Sequence, residues 1–375
     1  MDSFDIETTS RRHADTKDEE EKARLLRNDT EEEEEHSHHE EEERGLHMSK
    51  AIVLCCILTI ASCSSSILAQ LSKHGESGQY GYHTSTVPVL SEFTKLVISV
   101  GIVGYDYTQT GSIHAPLWTV KEFCTKYLVI GFLYAIQNNL VFIALMYLDP
   151  GTMEVLGNLK MPLTAILMSL VLHKVFSSIQ ILGLALLTIG AMLSKVNLVS
   201  CGEGPDKDCS KSRIGILIMI IMCCISSSAS VANEYLLKHK DNGPLFWQNA
   251  QLYLSTCFFS VLHAAFIDQV PMNGDFFEGY SWMTLAVILN LALVGIIVSI
   301  TLKHADNIVH AIASILAMIL ATVFSVLAMD AELHILSVFG FACIAVGVLL
   351  YFFSNACNMH CLASFYPASS VRSLV

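Results

Sequence analysis

Ligand-binding side chains lie inside segments of this chain that are otherwise apolar. Asn138 and Asn139 follow Tyr134 in one such segment, and Lys160 lies well inside the next. A central Lys or Asp costs about 2.5 to 3.5 kcal/mol in a membrane helix unless it faces a wet cavity or a polar partner. These residues therefore predict a polar cavity inside a helical membrane bundle, which is typical of a transporter.

The chemistry of these side chains suits a nucleotide. Each asparagine offers two donors and an acceptor, which match a base edge or sugar hydroxyls. Lys160 has no obvious acidic neighbour in the sequence, so a phosphate would supply the missing anion. The alternative for Asn138 and Asn139 is hydrogen bonding between helices, which is worth below about 1 kcal/mol per bond.

Two further polar pairs share helix faces. Glu92 and Lys95 are three residues apart, so they can neutralise each other while lining the cavity. The alternative to a gating or substrate-binding role is a buried ion pair with a structural role. Asn249 and Tyr253 are four residues apart and combine hydrogen-bonding groups with a flat stacking surface.

Catalytic and metal-binding motifs are absent from the sequence. It has no P-loop, no Gly-x-Ser-x-Gly, no Gly-x-Gly-x-x-Gly and no nucleophile paired with a base. His36, His38 and His39 stand among glutamates, but they lack the fixed spacing of a zinc site. We therefore expect a protein that is not an enzyme, with no cofactor, no metal and no nucleic-acid partner.

The composition is that of a membrane protein. Of all residues, 53% are hydrophobic and 15% are charged, whereas soluble domains carry about 25% charged residues. Runs of about 20 apolar residues mark helices that cross a lipid bilayer. The expected fold is an all-α bundle of ten transmembrane helices: 50–71, 84–104, 127–147, 151–172, 176–195, 213–233, 246–267, 282–302, 308–329 and 333–353. Close contacts between these helices are expected at Gly101, Gly183, Gly190, Gly295, Gly340 and Gly347.

Nearly all of the net charge of −13 belongs to the N-terminal tail. Residues 1–45 hold 18 acidic and 7 basic residues, so we expect 1–46 to be a disordered acidic tail. An even number of spans places both termini on one side, and a modest excess of lysine in the loops favours the cytosol. Glu21, Leu25 and Leu26 fit the acidic dileucine pattern that cytosolic sorting adaptors bind, with chance occurrence as the alternative.

The ten spans divide into two groups of five at the loop 200–212. This division predicts two inverted five-helix repeats, a common transporter plan in which substrate is held where the repeats meet. Cys201 and Cys209 lie in the loop and face the oxidising lumen if the termini are cytosolic, so we predict a disulfide between them. The remaining boundaries are 47–199 and 213–355 for the repeats and 356–375 for a cytosolic C-terminal tail.

At these residues the chain resembles the nucleotide-sugar transporters of the drug/metabolite transporter superfamily. It is most similar to the plant-type members of the CMP-sialic acid transporter branch, which share an Asp-Pro-x-Thr…Gly-Asn-Leu-Lys arrangement and a cysteine-rich loop before the sixth span. The resemblance covers residues 50–355. Its motifs are Tyr134–Asn139, Leu148–Thr152, Gly157–Pro162, Asn233–Lys238, Phe246–Tyr253 and Lys303–Ile308.

The resemblance implies a Golgi antiporter that works by alternating access. Such a protein exchanges a cytosolic nucleotide sugar, either CMP-sialic acid-like or UDP-linked, for a lumenal nucleoside monophosphate. Glu92 and Lys95 would lie near the site. The resemblance places the substrate-binding residues at Tyr134, Asn138, Asn139, Lys160, Asn249, Tyr253 and Ser299.

Two departures from the family pattern fall near the implied site. The family commonly has Tyr-Gln where this chain has Met153 and Glu154, and relatives have Lys where it has His310. On a continuous helix Met153 would share a face with Lys160, so we predict that Met153 lines the pocket with adaptable apolar contact and that Glu154 faces elsewhere. The carried sugar and nucleotide therefore stay open.

Two other functions also stay open. A carrier for another organic anion, on an endolysosomal or vacuolar membrane, would suit the dileucine match and the altered pocket. A membrane scaffold that does not transport would use its acidic tail to recruit partners. A scaffold needs no polar cavity, so Asn138, Asn139 and Lys160 argue against it. Homo-oligomerisation is compatible with each function.

Overall fold

The computed structural model is a bundle of helices. The chain forms two compact units, one of Ala51–Met359, which holds the bundle, and one of the chain ends Met1–Lys50 and His360–Val375. The structure describes residues 49–69, 71–74, 79–111, 120–145, 147–148, 150–195, 209–239, 243–267, 269, 274–329 and 334–365.

Helices account for most of the described chain. A π-helical turn, Cys124–Leu128, joins α3 to α4, and another, His263–Ile267, follows α9. Between α1 and α2, the two-residue strands β1 (Lys73–His74) and β2 (Gln79–Tyr80) pair antiparallel. The helices are α1 (Ser49–Ala69), α2 (Thr86–Thr110), α3 (Val120–Phe123), α4 (Val129–Leu145), α5 (Pro150–Gly157), α6 (Lys160–Val171), α7 (Ser178–Lys195), α8 (Cys209–Lys238), α9 (Leu245–Leu262), α10 (Trp282–His304), α11 (Asn307–Met329) and α12 (Ile335–Phe365).

The predicted membrane spans are largely confirmed. In the described chain, eight helices are long and apolar enough to cross a membrane, namely α1, α2 and α7 to α12. The third predicted span corresponds to α4, which has 17 residues and is extended by the π-helical turn and α3. The chain is therefore a multi-pass helical membrane bundle, as predicted.

The fourth predicted span is wrong as a single helix, because the chain breaks it between α5 and α6. Pro162 lies in the first turn of α6 and has no amide hydrogen, and its ring would clash with the carbonyl of Asn158 in a continuous helix. The backbone tightens instead, and the Leu159 amide donates to the carbonyl of Leu156 at 3.0 Å. The amides of Met161 and Leu163 donate to the carbonyls of Asn158 and Leu159 across the break, which makes Lys160 the first residue of α6.

Two helices extend beyond the apolar segments that predicted them. α8 begins at Cys209, inside the predicted loop 200–212, and α12 continues to Phe365, past the predicted boundary at 355. Apolar composition marks the part of a helix that lipid covers, whereas its backbone hydrogen bonds can continue into polar sequence.

Helices α7 and α12 pack backbone against backbone. A Cβ on Gly183 would lie 2.9 Å from the carbonyl oxygen of Gly347, and a Cβ on Gly190 would lie 2.7 Å from that of Gly340. These four glycines confirm the expected close contacts, while Gly101 does not, since nothing lies within 4 Å of its added Cβ. Gly183 faces Gly347 and Gly190 faces Gly340, so α7 and α12 run antiparallel. These helices are the fifth and tenth predicted spans, which run antiparallel in an inverted repeat. The repeat itself stays a prediction.

The largest apolar core holds α6 in place. It joins α1, α6, α7, α11 and α12 through side chains that are almost completely inaccessible to solvent. Lipid tails are as apolar as these side chains, so close packing rather than transfer out of water holds α6 in position along most of its length. Members of this core include Leu58, Met168, Leu187, Ile312 and Ile344.

Candidate functional site

An ion pair on α2 is the first element of the site. The Lys95 ammonium lies 2.5 Å from Oε1 of Glu92, and the two side chains are 11% and 18% exposed. The second oxygen of Glu92 accepts from the hydroxyl of Thr256 on α9 at 2.7 Å. The ammonium also lies 4.7 Å from the centre of the Tyr253 ring. The pair is therefore neutralised and joins α2 to α9.

Tyr253 and Ser299 belong to the same group. The Tyr253 hydroxyl lies 2.9 Å from the hydroxyl of Ser299 on α10 and donates to the carbonyl of Gly295 at 3.2 Å. A Cβ added to Gly295 would lie 2.6 Å from Cδ of Lys95 and would displace that side chain. The glycine thus permits Lys95 to reach the aromatic ring. We call Glu92, Lys95, Asn249, Tyr253 and Ser299 the α2–α9 cluster.

Asn249 lies one helical turn before Tyr253 on α9 and is completely buried. Neither its amide oxygen nor its amide nitrogen has a hydrogen-bond partner among the described residues. An unsatisfied buried polar group costs about 1–3 kcal/mol, so most such groups find a partner or serve a function. The side chain therefore offers one acceptor and two donors to a polar ligand.

Tyr134 lies between the α2–α9 cluster and α8. It hydrogen-bonds to the side chain of Asn233 and interacts electrostatically with Glu92 and Tyr253. Asn138 and Asn139 follow it on α4, but their side chains lie outside the described residues. Tyr134 on α4 therefore faces α2, α8 and α9.

Lys160 is the first residue of α6 and forms a second polar group. No side chain caps this helix end and no acidic residue lies in its first turn. Among the described residues, no carboxylate pairs with Lys160. Its electrostatic neighbours are Cys223 on α8 and His310 on α11. An ammonium beside a helix N-terminus is suited to bind a phosphate.

Side chains from α8 and α11 surround this end of α6. The hydroxyl of Ser227 donates to the Lys160 carbonyl at 3.1 Å, and the hydroxyl of Ser230 donates to Oδ1 of Asn307 at 2.8 Å. Nδ1 of His310 lies 3.5 Å from the same Asn307 oxygen. We call Lys160, Ser227, Ser230, Asn307 and His310 the α6–α11 cluster.

The α8 contribution was missed in the sequence, although a signal was present. Cys223, Ser227, Ser230 and Glu234 recur at intervals of three or four residues and so line one face of the helix. That spacing predicts a polar face within an apolar span.

Met153 is buried in an apolar cluster with Ala144, Leu148 and Met219. Further along the same face of α8, Cys223 contacts the carbonyl of Leu156 and Ser227 contacts that of Lys160. The predicted place of Met153 in a substrate pocket stays a prediction. The side chain of Glu154 lies outside the described residues.

Several further predictions fall beyond the described part of the chain. Glu21, Leu25 and Leu26 of the sorting motif lie outside the described residues, as does Cys201. Cys209 begins α8, but its side chain is likewise not described. The disulfide and the sorting motif therefore stay predictions.

Comparisons with known proteins match most of this chain to one family. The model of the nucleotide-sugar transporter family matches residues 47–352. The "CMP-sialic acid transporter 1" of Oryza sativa subsp. japonica is 34% identical over 305 residues, which cover 79% of this chain and 92% of that protein. The protein of the same name from Arabidopsis thaliana is 34% identical over 277 residues, covering 72% and 80%.

A solved crystal structure shares the fold. It superimposes with a TM-score of 0.60 at 15% identity and covers 81% of this chain and 97% of its own. The family match runs from α1 into α12 and includes both polar clusters. The bundle, its two clusters and this match lead to one conclusion: the chain belongs to the nucleotide-sugar transporter family.

Proposed function

We propose that this protein exchanges a cytosolic nucleotide sugar for a lumenal nucleoside monophosphate by alternating access. The substrate class is a CMP- or UDP-linked sugar. The printed names of the rice and Arabidopsis relatives, both CMP-sialic acid transporters, support the CMP-linked form. The proposal makes the protein a carrier, and the family to which it belongs consists of transporters rather than enzymes.

The position of Lys160 carries this proposal. Its ammonium stands at the N-terminus of a helix that begins inside the bundle, without a carboxylate partner in the described chain. A phosphate there would receive both the lysine charge and the positive end of the helix dipole. Transporters with broken helices use such half-helix N-termini to hold anionic substrate groups.

The α2–α9 cluster would recognise the rest of the nucleotide. Asn249 supplies unsatisfied amide groups, and Tyr253 supplies an aromatic face and a hydroxyl held by Ser299. We assign Asn138 and Asn139 to the same task, because they follow Tyr134 on α4, and Tyr134 lies between the α2–α9 cluster and α8. Amides and aromatic rings suit a pyrimidine base and a ribose.

Glu92 and Lys95 have a different role in this proposal. Because Glu92 neutralises Lys95, the pair does not compete with Lys160 for phosphate. Its link to Thr256 joins the two halves of the bundle, so it would position Tyr253 or open as a gate during exchange.

We further propose a Golgi location with both termini in the cytosol. The N-terminal tail would then be available to a sorting adaptor, and the cysteine loop would face the lumen. Self-association within the membrane is compatible with this arrangement.

The proposal is tested by nucleotide binding to a Lys160→Ala variant. Loss of the Lys160 ammonium should weaken binding of CMP or UMP about 10- to 100-fold, since a hydrogen bond to a charged group is worth about 1.5–3 kcal/mol. Thermal stabilisation of the purified protein by each nucleotide measures the affinity. Lys303→Ala, at the end of α10, is the matched control and should bind as the unaltered protein does. Unchanged affinity in Lys160→Ala would contradict the proposal.

A further inference from the structure

Charged side chains from three parts of the chain meet where α10 ends and α11 begins. Only Ala305 and Asp306 separate the two helices. Glu234 and Lys238 reach this junction from the last turn of α8, and Lys174 reaches it from the connection between α6 and α7. None of these charged side chains contributes to the phosphate-binding arrangement proposed above.

The two charged side chains from α8 both have hydrogen-bond partners at the junction. Glu234 accepts from the Lys238 ammonium at 2.6 Å through one oxygen and from the amide of Asn307 at 3.0 Å through the other. Lys238 also donates to the carbonyl of Ala305 at 2.7 Å. These bonds tie the end of α8 to the end of α10 and the start of α11, all within the second half of the chain.

The Asp306 part of the junction joins the two halves. One carboxylate oxygen of Asp306 accepts from the amide of Val309 at 2.9 Å and caps α11, while the other pairs with Lys174. Among the ion pairs between described residues, this is the one that links the first half of the chain to the second. The Lys174 side chain is 29% exposed, so water can solvate it when the pair separates.

The end of α6 fixes the direction of Lys174. His173 adopts a left-handed backbone conformation with φ of 51°. The Lys174 amide then turns back to donate to the carbonyl of Met168 at 3.3 Å. Lys174 therefore moves with α6. Lys160 begins the same helix, whose 12 residues span roughly 18 Å at 1.5 Å per residue.

We propose that the Lys174–Asp306 ion pair is a latch that closes this end of the bundle and opens once in each transport cycle. The inference rests on the proposed function, because α6 would link the latch to the nucleotide phosphate at Lys160. Asp306 keeps its capping bond to Val309 when Lys174 leaves, so opening does not unfold α11. In the expected topology this end faces the cytosol.

Protonation does not operate the latch. Burial alone would raise the pKa of Asp306, but the ammonium of Lys174, the Val309 amide and the ammonium of Lys238 hold that pKa below its ordinary value. Glu234 and Tyr351 are the other titratable groups that face Asp306. The carboxylate is thus ionised above its lowered pKa, and the pair is lost only as the pH falls through that value. It is intact at neutral and mildly acidic pH.

Neutral substitutions test the latch. Lys174→Gln and Asp306→Asn both remove the ion pair, and asparagine caps a helix about as well as aspartate. Each should slow nucleotide exchange in liposomes about tenfold without weakening nucleotide binding, because the closed state loses population. The double variant should be no slower than either single variant. Lys174→Arg keeps the charge and should retain exchange, and Lys303→Gln is the control. Exchange at the normal rate in either single variant, or a parallel loss of affinity, would overturn the latch.

Hydrogen–deuterium exchange separates the latch from the proposed function. Without nucleotide, backbone amides of residues 172–177 should exchange faster in both single variants than in the unaltered protein, while those of α11 beyond its first turn stay protected. Unchanged protection at 172–177 in both variants would overturn the latch. If the unaltered protein transports no nucleotide, the proposed function is contradicted. The hydrogen–deuterium measurement would still test whether the ion pair holds this end of the bundle closed.

Discussion

At the scale of single residues, Asn249 stands out because both of its buried side-chain amide atoms lack a hydrogen-bond partner in the described chain. Lys160 and Asn249 were both predicted from the sequence because they interrupt apolar segments. Other polar residues in the bundle, such as Thr164 and Ser227, are hydrogen-bonded to each other or to the backbone. The sequence cannot make this distinction, because hydrogen-bond partners come from other helices.

Replacing Asn249 with leucine should separate binding from stability. Removing a buried amide that has no partner in the described chain should leave the melting temperature without nucleotide unchanged or higher. Affinity for CMP or UMP should fall about tenfold, or 1.4 kcal/mol. Thermal shift with and without nucleotide measures both effects.

Gln248→Leu provides the contrast for this prediction. Gln248 is also buried and its amide oxygen has no partner in the described chain, but its amide nitrogen donates to the carbonyl of Gly243 at 2.8 Å. The leucine variant should therefore lose stability and keep its nucleotide affinity. A lower melting temperature in Asn249→Leu together with normal affinity would show that Asn249 is a structural residue.

At the scale of elements, helix existence was predictable and helix continuity was not. Eight apolar runs became long helices because lipid forces each segment to satisfy its own backbone. The break before Lys160 depends on Pro162 and on how neighbouring helices hold the shortened α6. The proline was visible in the sequence, but its effect on the helix was not.

The contact between α7 and α12 should depend on glycine. Gly190→Ala places a Cβ 2.7 Å from the Gly340 carbonyl oxygen and 2.9 Å from the Ile344 amide nitrogen. Relieving such contacts requires backbone shifts that cost about 1–3 kcal/mol. The variant should therefore have a lower melting temperature.

The matched control for this prediction is Gly101→Ala on α2, where nothing lies within 4 Å of the added Cβ. It should be neutral or stabilise the protein by up to about 1 kcal/mol, since alanine favours a helix over glycine. Equal melting temperatures for Gly190→Ala and the unaltered protein would show that α7 and α12 can separate without cost.

At the scale of the whole molecule, the acidic tail and the membrane bundle have separate compositions. Residues 1–45 carry a net charge of −11 out of −13, so the bundle itself is nearly neutral. The family match begins at residue 47, where the tail ends. The division into tail and bundle stays a prediction, which follows from the abrupt change of charge and hydropathy at one point in the sequence.

Deleting residues 1–46 should therefore leave exchange by purified protein in liposomes within about twofold of the full chain, as expected for a segment with little to bury. Leu25→Ala and Leu26→Ala should instead change the location of the protein in cells. Imaging and membrane fractionation measure that location. Loss of exchange on deletion would assign the tail to the transport cavity.

The central claim is that the bundle exchanges nucleotides through a site that contains Lys160. The most direct measurement is efflux of radiolabelled CMP, UMP or GMP from liposomes that contain the purified protein. We predict efflux only when a matching nucleotide or nucleotide sugar is present outside, and little efflux with Lys160→Ala under the same conditions. Efflux at the same rate with and without external nucleotide, or normal efflux with Lys160→Ala, would contradict the claim.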